Sequence, residues 1–387
     1  MRILTQTLDA KITATNHLIE MTIGEYSIIA KDILHNNDLQ RKRVKTANRS
    51  YSLLKDDIKV GCVIPPIVLA IFPTDNHENK KIDSTNLIEK IDKTGNNLLI
   101  LDGLQRTYTI LDLLLEIEGN PDLSQKVKDL TLRVEVYTGI SKIGVLYRML
   151  TLNTGQNPMS TRHQVEMLYS DYKDGFDNLV FITESQNRVP TGNNEFKFSD
   201  ILDGFISYIT GDYLPLDRED VVNIIKNLEA LTKDDKEKDL FKQLITTYNN
   251  FRIRINNLSL NWEYEDIGDI KKRPFGKNVN DIFIKGQTLA GFGAALSFLI
   301  EEGLIKDLDT INTLIPKIKN NEISTALNQM IKFLDDIQIS AKKIGNEQRM
   351  YFYYLVRSLF NESNDGYLDF DKSIIQANRF YKANMLG

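Results

Sequence analysis

The chain has 387 residues, 42% hydrophobic and 26% charged, enough to bury a sizeable core and long enough for two domains. A net charge of −5 and a pI of about 5.6 argue against a whole-surface electrostatic grip on nucleic acid, while permitting a local basic patch. The single cysteine, Cys62, excludes an internal disulfide, and no CxxC or Cys/His spacing offers a metal site.

That cysteine usage fits a reducing cytoplasm. The opening MRILTQTLDAKITATNHLIE has no continuous apolar region, so it does not read as a signal peptide. No stretch approaches the roughly 18 apolar residues that a membrane helix needs. The expectation is a soluble, cytoplasmic protein with no membrane partner.

Residues 1–60 mix short apolar runs with a basic segment, Arg41-Lys42-Arg43-Val44-Lys45, followed by Arg49. Val60–Phe72 reads as a buried strand entered through Pro65-Pro66, and Cys62 within it as a buried structural thiol. Thr74–Asn97 is polar and reads as a surface excursion or hairpin. A second strand, Leu98–Leu101, runs directly into Asp102-Gly103. Apolar residues at Ile110, Leu111, Leu114, Leu115 and Ile117 then mark a helix, stopped by Gly119-Asn120-Pro121.

Leu130–Tyr137 alternates cleanly as a strand, and a helix around Ile143–Leu152 precedes the turn-like Asn153–Pro158. Ser160 opens another helix, with Glu166 beyond it. After about residue 170, helical spacing dominates. Ile323, Leu327, Met330, Ile331, Leu334 and Ile337 form one amphipathic stripe, and Gln348–Phe360 a second, aromatic one. The expected class is α+β: an α/β N-terminal domain over 1–170 and a mostly α-helical domain over 171–387.

The chemistry concentrates at Asp102-Gly103-Leu104-Gln105-Arg106-Thr107, between a buried strand and a helix. A helix N-terminus offers unpaired N–H groups and a partial positive charge to an anion. Gly103 lets backbone approach a ligand, and Arg106 supplies a fork matched to phosphate oxygens. Gln105 can donate or accept, and Asp102 can orient water, hold Mg²⁺ or take a proton. The bland alternative has Asp102 capping the helix, Gly103 relaxing the turn and Arg106 paired to a carboxylate.

This stretch resembles the motif of the DGQHR-type and DGQQR-type proteins of the ParB/sulfiredoxin-like superfamily. Asn48-Arg49-Ser50-Tyr51 with Val63-Ile64-Pro65-Pro66-Ile67-Val68 upstream, and Leu152–Ser160 downstream, resemble the flanking features of that group over roughly residues 40–170. Leu104 departs from the pattern, standing where the family usually has Gln. The resemblance implies a ParB/sulfiredoxin-like nucleotide-handling domain of bacterial DNA-modification and anti-phage systems, with NTP hydrolysis in some branches and regulation in others.

Two functions follow as expectations. One is an NTPase: ATP or GTP held by Arg106, Gly103, Thr107 and the turn amides, with Arg49, Asn153 and Gln156 as further contacts. Asp102, Gln105 and Arg106 would carry the chemistry, Asp102 through Mg²⁺ or water. The other is a binding regulator that holds nucleotide or DNA without turnover and contacts other proteins of its system. A nuclease needs a cluster of metal ligands, and the sequence offers only Asp102 and Glu135 towards one.

Other segments have two readings each. Arg41, Lys42 and Arg43 are a solvated face or a phosphate contact to nucleotide or DNA. Lys271-Lys272-Arg273-Pro274-Phe275-Gly276-Lys277, four cations around a phenylalanine after an acidic run, reads as a mobile loop touching nucleic acid or nucleotide, or as surface. Gly286–Gly293 lacks the GK[ST] signature of a P-loop and reads as a tightly packed helix. His163 lies near the candidate site, with a surface or capping role as the alternative. His17, His35 and His77 match no metal spacing.

Overall fold

Alternating burial along the first strands sets up the N-terminal unit. The computed structural model describes residues 1–36, 49–71, 87–89, 91, 98–152, 165–215 and 235–386, save 168, 174, 177, 187, 192, 193, 266, 267 and 269. Strand β1 (Arg2–Asp9) pairs antiparallel with β2 (Ala14–Thr22), and the chain turns at Thr22 into helix α1 (Ile23–Asn36). That turn is a reciprocal cap: the Glu25 N–H donates to Thr22 Oγ1 at 3.1 Å, and the Thr22 N–H to Glu25 Oε2 at 2.8 Å.

Helix α2 (Arg49–Val60) ends where Gly61 takes a φ of +92°. Gly61 N–H donates to Ile58 O and Cys62 N–H to Asp57 O, the two bonds of a glycine-terminated helix end. Strand β3 therefore begins only at Ile67 and runs to Ile71, after the two prolines that cannot donate to a ladder. This corrects the longer strand expected from Val60. Val60, Cys62 and Val63 are exposed, and the thiol is not a core group.

The next elements are β4 (Leu98–Asp102), α3 (Leu104–Glu116), α4 (Pro121–Lys128), β5 (Thr131–Thr138) and α5 (Lys142–Leu152). Much of the segment expected as a surface excursion lies outside the described residues. Within it, Leu87 and Ile91 are helical and fully buried. The sheet order is β1-β2-β5-β3-β4, with β5 antiparallel to β2 but parallel to β3, so the sheet is mixed.

Leu132, Val134 and Val136 of β5 point inward at every second position. They join Leu69, Leu98, Ile100, Tyr26, Ile110 and Leu113 in one core. Each large side chain sunk there contributes roughly 1.5–3 kcal/mol. Leu99 and Leu101 are buried as well, so β4 is apolar on both faces up to Asp102.

A second compact unit is drawn from Thr161–Val221 and Leu231–Gly387, the first from Met1–Ser160. The second contains a short parallel pair, β6 (Val180–Ile182) and β7 (Glu195–Lys197), followed almost entirely by helices. These are α6 (Phe198–Thr210), α7 (Asp235–Leu258), α8 (Val279–Phe283), α9 (Gly286–Glu301), α10 (Leu308–Leu314), α11 (Ile323–Ser340), α12 (Ile344–Phe360) and α13 (Phe370–Leu386).

Helix α9 is the buried centre of this unit. Its Gly293 crosses Gly204 of α6 backbone to backbone, and a Cβ on Gly291 would lie 2.6 Å from Phe352 Cβ of α12. The glycine-rich run is thus packing, as its sequence suggested. All six residues of the α11 stripe are buried. The protein is α+β, and among the described residues no helix is long and apolar enough to cross a membrane.

Candidate functional site

The β4–α3 turn begins where a strand buried on both faces meets Asp102. Gly103, at φ +92°, is the N-cap of α3, and no side chain accepts from the first N–H groups of that helix. A Cβ at Gly103 would sit 3.1 Å from Ile67 Cγ1 and 3.3 Å from Arg106 Nη2, in a conformation that side chains avoid. Glycine is required twice over, by backbone and by space.

Arg106 folds back over that glycine. Its Nη2 donates to Asp102 Oδ2 at 2.6 Å, while its Nη1 donates to Pro65 O at 2.8 Å and Pro66 O at 3.1 Å. The two side chains of the ion pair are only 14% and 16% exposed. The guanidinium is therefore a strut, tying the β4–α3 turn to the backbone just before β3. It is not presented outward to an anion, which is where the sequence placed it. Asp102 Oδ1 is buried and has no hydrogen-bond partner.

The neighbouring motif residues divide. Thr107 is fully buried; its hydroxyl donates to Gly103 O at 3.0 Å and shares a 2.7 Å hydrogen bond with the Tyr26 hydroxyl. It supports the turn from beneath and does not line a surface. Burial pushes the Tyr26 phenol well above its ordinary range, so it stays a neutral hydroxyl. Leu104 packs against the hydrophobic core, which accounts for an apolar side chain at a position where the resembled motif has Gln. Gln105 is half-buried, its carbonyl accepts from Thr109 Oγ1, and its side-chain amide has no partner among the described residues.

The expected ligand contacts elsewhere are placed only in part. Arg49 is the first residue of α2. Asn153, Gln156, His163, Arg41, Lys42 and Arg43 lie outside the described residues. Glu135 stands two strands from Asp102, since Val68 is the register partner of both, a backbone separation of roughly 9–10 Å. Its carboxylate accepts from Asn16 Nδ2 at 2.9 Å. Among the described residues no three His, Cys, Asp or Glu side chains group to hold a metal. Among the described residues of this turn, Asp102 is the one carboxylate that could take part in holding a cation.

Lys271, Lys272 and Arg273 belong to the second unit and form a held loop. Asp335, buried on α11, accepts the Lys271 N–H at 2.8 Å and the Lys272 N–H at 2.9 Å. Sequence reasoning missed Tyr26 and the Pro65 and Pro66 carbonyls, which come from positions with no polar pattern of their own. It also missed Lys285, an isolated lysine that the fold brings beside this basic loop.

No protein-family model, no curated protein and no solved structure matches this chain.

Proposed function

We propose that the N-terminal unit is a ParB/sulfiredoxin-like nucleotide-binding module that holds the phosphate of ATP or GTP at the amino end of α3 without hydrolysing it. It would act as a regulator in a bacterial DNA-modification or anti-phage system. The observation that carries the reading is the Asp102–Arg106 pair: each group neutralises the other, and among the described residues no three His, Cys, Asp or Glu side chains group to form a metal site. A phosphate would compete with Asp102 for the guanidinium and gain the uncapped amides of α3 and the Gln105 side chain. Binding then releases a latch and needs no chemistry.

Hydrolysis is the second reading, favoured by one feature. The buried Asp102 Oδ1 is an unsatisfied acceptor, a costly arrangement that Mg²⁺ or a water would relieve. Thermal protection and phosphate release, measured with ATP and GTP on wild type, Asp102→Ala and Arg106→Ala, separate the two. Protection that Arg106→Ala abolishes, with no phosphate release, is the expected result. Release that depends on Asp102 would replace the module with an NTPase, and an absence of protection by either nucleotide would remove both.

A further inference from the structure

The second unit carries an open cleft of about 640 Å³, within the size range of small-ligand pockets. Three cations line it, Arg273, Lys277 and Lys285, against a single carboxylate, Asp281. Among the described residues, none of the three forms an ion pair with an acid. The Asp281 carboxylate accepts instead from the Lys277 backbone N–H, at 3.3 Å. The lining charge is thus unbalanced towards positive in a protein whose net charge is −5.

The cleft is built, and its loop is fixed at several points. Asp335 grips the Lys271 and Lys272 amides, Gln338 Nε2 donates to Arg273 O at 3.4 Å, and Tyr264 N–H donates to Lys277 O at 2.7 Å. Phe275 is buried with its ring 5.4 Å from that of Phe352. A Cβ on Gly276 would come within 2.8 Å of the Ile282 amide nitrogen, so only glycine lets the loop lie this close to α8. The loop forms one wall of the cleft.

Lys285 is the least ordinary member. It is half-buried, its ammonium stands 4.1 Å from the centroid of the Phe275 ring, and it donates to the Phe275 carbonyl. Loss of water around it pulls its pKa below the usual lysine range, which marks a cation held at a solvation cost. An oxyanion arriving in the cleft would recover that cost and would meet the Arg273 fork and the Lys277 ammonium together. Pro274, Phe275 and Ile284 supply an apolar wall for an organic body beside the anion.

We infer that this cleft binds a phosphate-bearing ligand of nucleotide size, gripped by Arg273, Lys277 and Lys285. It is independent of the β4–α3 turn and shares no residue with it. The phosphoryl group could come from a nucleotide or from free polyphosphate, and a nucleic-acid strand is the competing ligand.

The protein carries its own reporter. Trp262 is the only tryptophan, and its ring lies 6.5 Å from that of Tyr264, which lines the cleft. The test titrates the full chain with ADP, tripolyphosphate and a twelve-residue oligothymidylate. Trp262 emission is read alongside calorimetry, in wild type, Arg273→Ala/Lys277→Ala, Lys285→Met and Arg106→Ala. The expected result is a saturable emission change with ADP or tripolyphosphate, weakened by about tenfold or more in both cleft variants and weakened further by salt. Arg106→Ala should leave that change intact even if it abolishes binding at the N-terminal unit.

Tighter binding of ADP than of tripolyphosphate assigns the apolar wall to a nucleotide body, and the reverse assigns free polyphosphate; either supports the site. The exposed Arg273 and Lys277 can be replaced without disturbing the core, so their double variant remains informative if Lys285→Met unfolds. No saturable change with either small anion, binding of the oligonucleotide alone, or affinities untouched by Arg273→Ala/Lys277→Ala would overturn the inference.

Discussion

The β4–α3 turn and the cleft beside α8 hold arginines in opposite circumstances. Arg106 came from a motif that resembles a nucleotide site, yet three protein acceptors take its donors. Arg273 came from a basic run with no motif, yet among the described residues no acid pairs with it, and its side chain opens on a cleft. The difference teaches that an arginine's availability is decided by the acceptors the fold brings to it, whatever its sequence neighbours suggest. A guanidinium between a carboxylate and two carbonyls is structural until something outbids them.

The sharpest way to break this comparison is to remove each arginine and measure urea unfolding. Arg106→Ala should destabilise the N-terminal unit by about 2–3 kcal/mol, because it strands the half-buried Asp102 carboxylate, one of whose oxygens already lacks a partner. Arg273→Ala should stay within about 0.5 kcal/mol. Equal losses would dissolve the distinction.

Buried acids sharpen the same contrast. Asp102 has a guanidinium, whereas among the described residues Glu166 in the second unit accepts hydrogen bonds from two backbone N–H groups, Glu184 at 2.9 Å and Ser199 at 3.1 Å. Burial pushes the Glu166 carboxyl up to about 7 from an ordinary 4.5. A raised carboxyl pKa means that, between those values, the folded chain keeps a proton the unfolded chain has shed. The contribution of this group to stability should therefore be fully present below about pH 4.5, fall as pH rises from there to about 7, by on the order of 2 kcal/mol, and then level off. Denaturant midpoints against pH would show it, and Glu166→Gln should flatten the profile; a slope that survives in Glu166→Gln assigns it to another group.

Gly103→Ala tests the turn itself. At φ +92° and 3.1 Å from Ile67, the added methyl should cost about 1–2 kcal/mol, seen as a lowered Tm. A smaller effect than at Gly103 is expected at α4, whose first turn is capped in the ordinary way by Asn120 accepting from the Leu123 N–H at 3.2 Å. Asn120→Ala should cost about 1 kcal/mol. A value near zero would show that a side-chain cap adds little in this unit, and the uncapped α3 would lose its distinction.

Much of the architecture was legible because it rests on periodicity. The LLIL run of β4, the alternation of β5 and the α11 stripe each state their burial directly. Strands β1 and β2 were not legible. Seven of the eight β1 positions are polar or exposed, and the second partner of β2 is β5, more than a hundred residues later. At the site, the strand, the glycine and the helix could be read in sequence. The direction of Arg106 could not, because its acceptors Pro65 and Pro66 are backbone carbonyls about forty positions upstream. Nor does a lone lysine such as Lys285 announce that Phe275 will lie under it.

The position of Lys285 has one more consequence. It is the N-cap residue of α9, the helix whose Gly291 and Gly293 are pressed against α12 and α6 with no side chain between. Contacts made through long side chains can absorb a push by changing rotamer, but glycine on backbone has no such slack. Lys285 thus places the cleft at the end of the helix whose two glycine crossings leave the least room for movement.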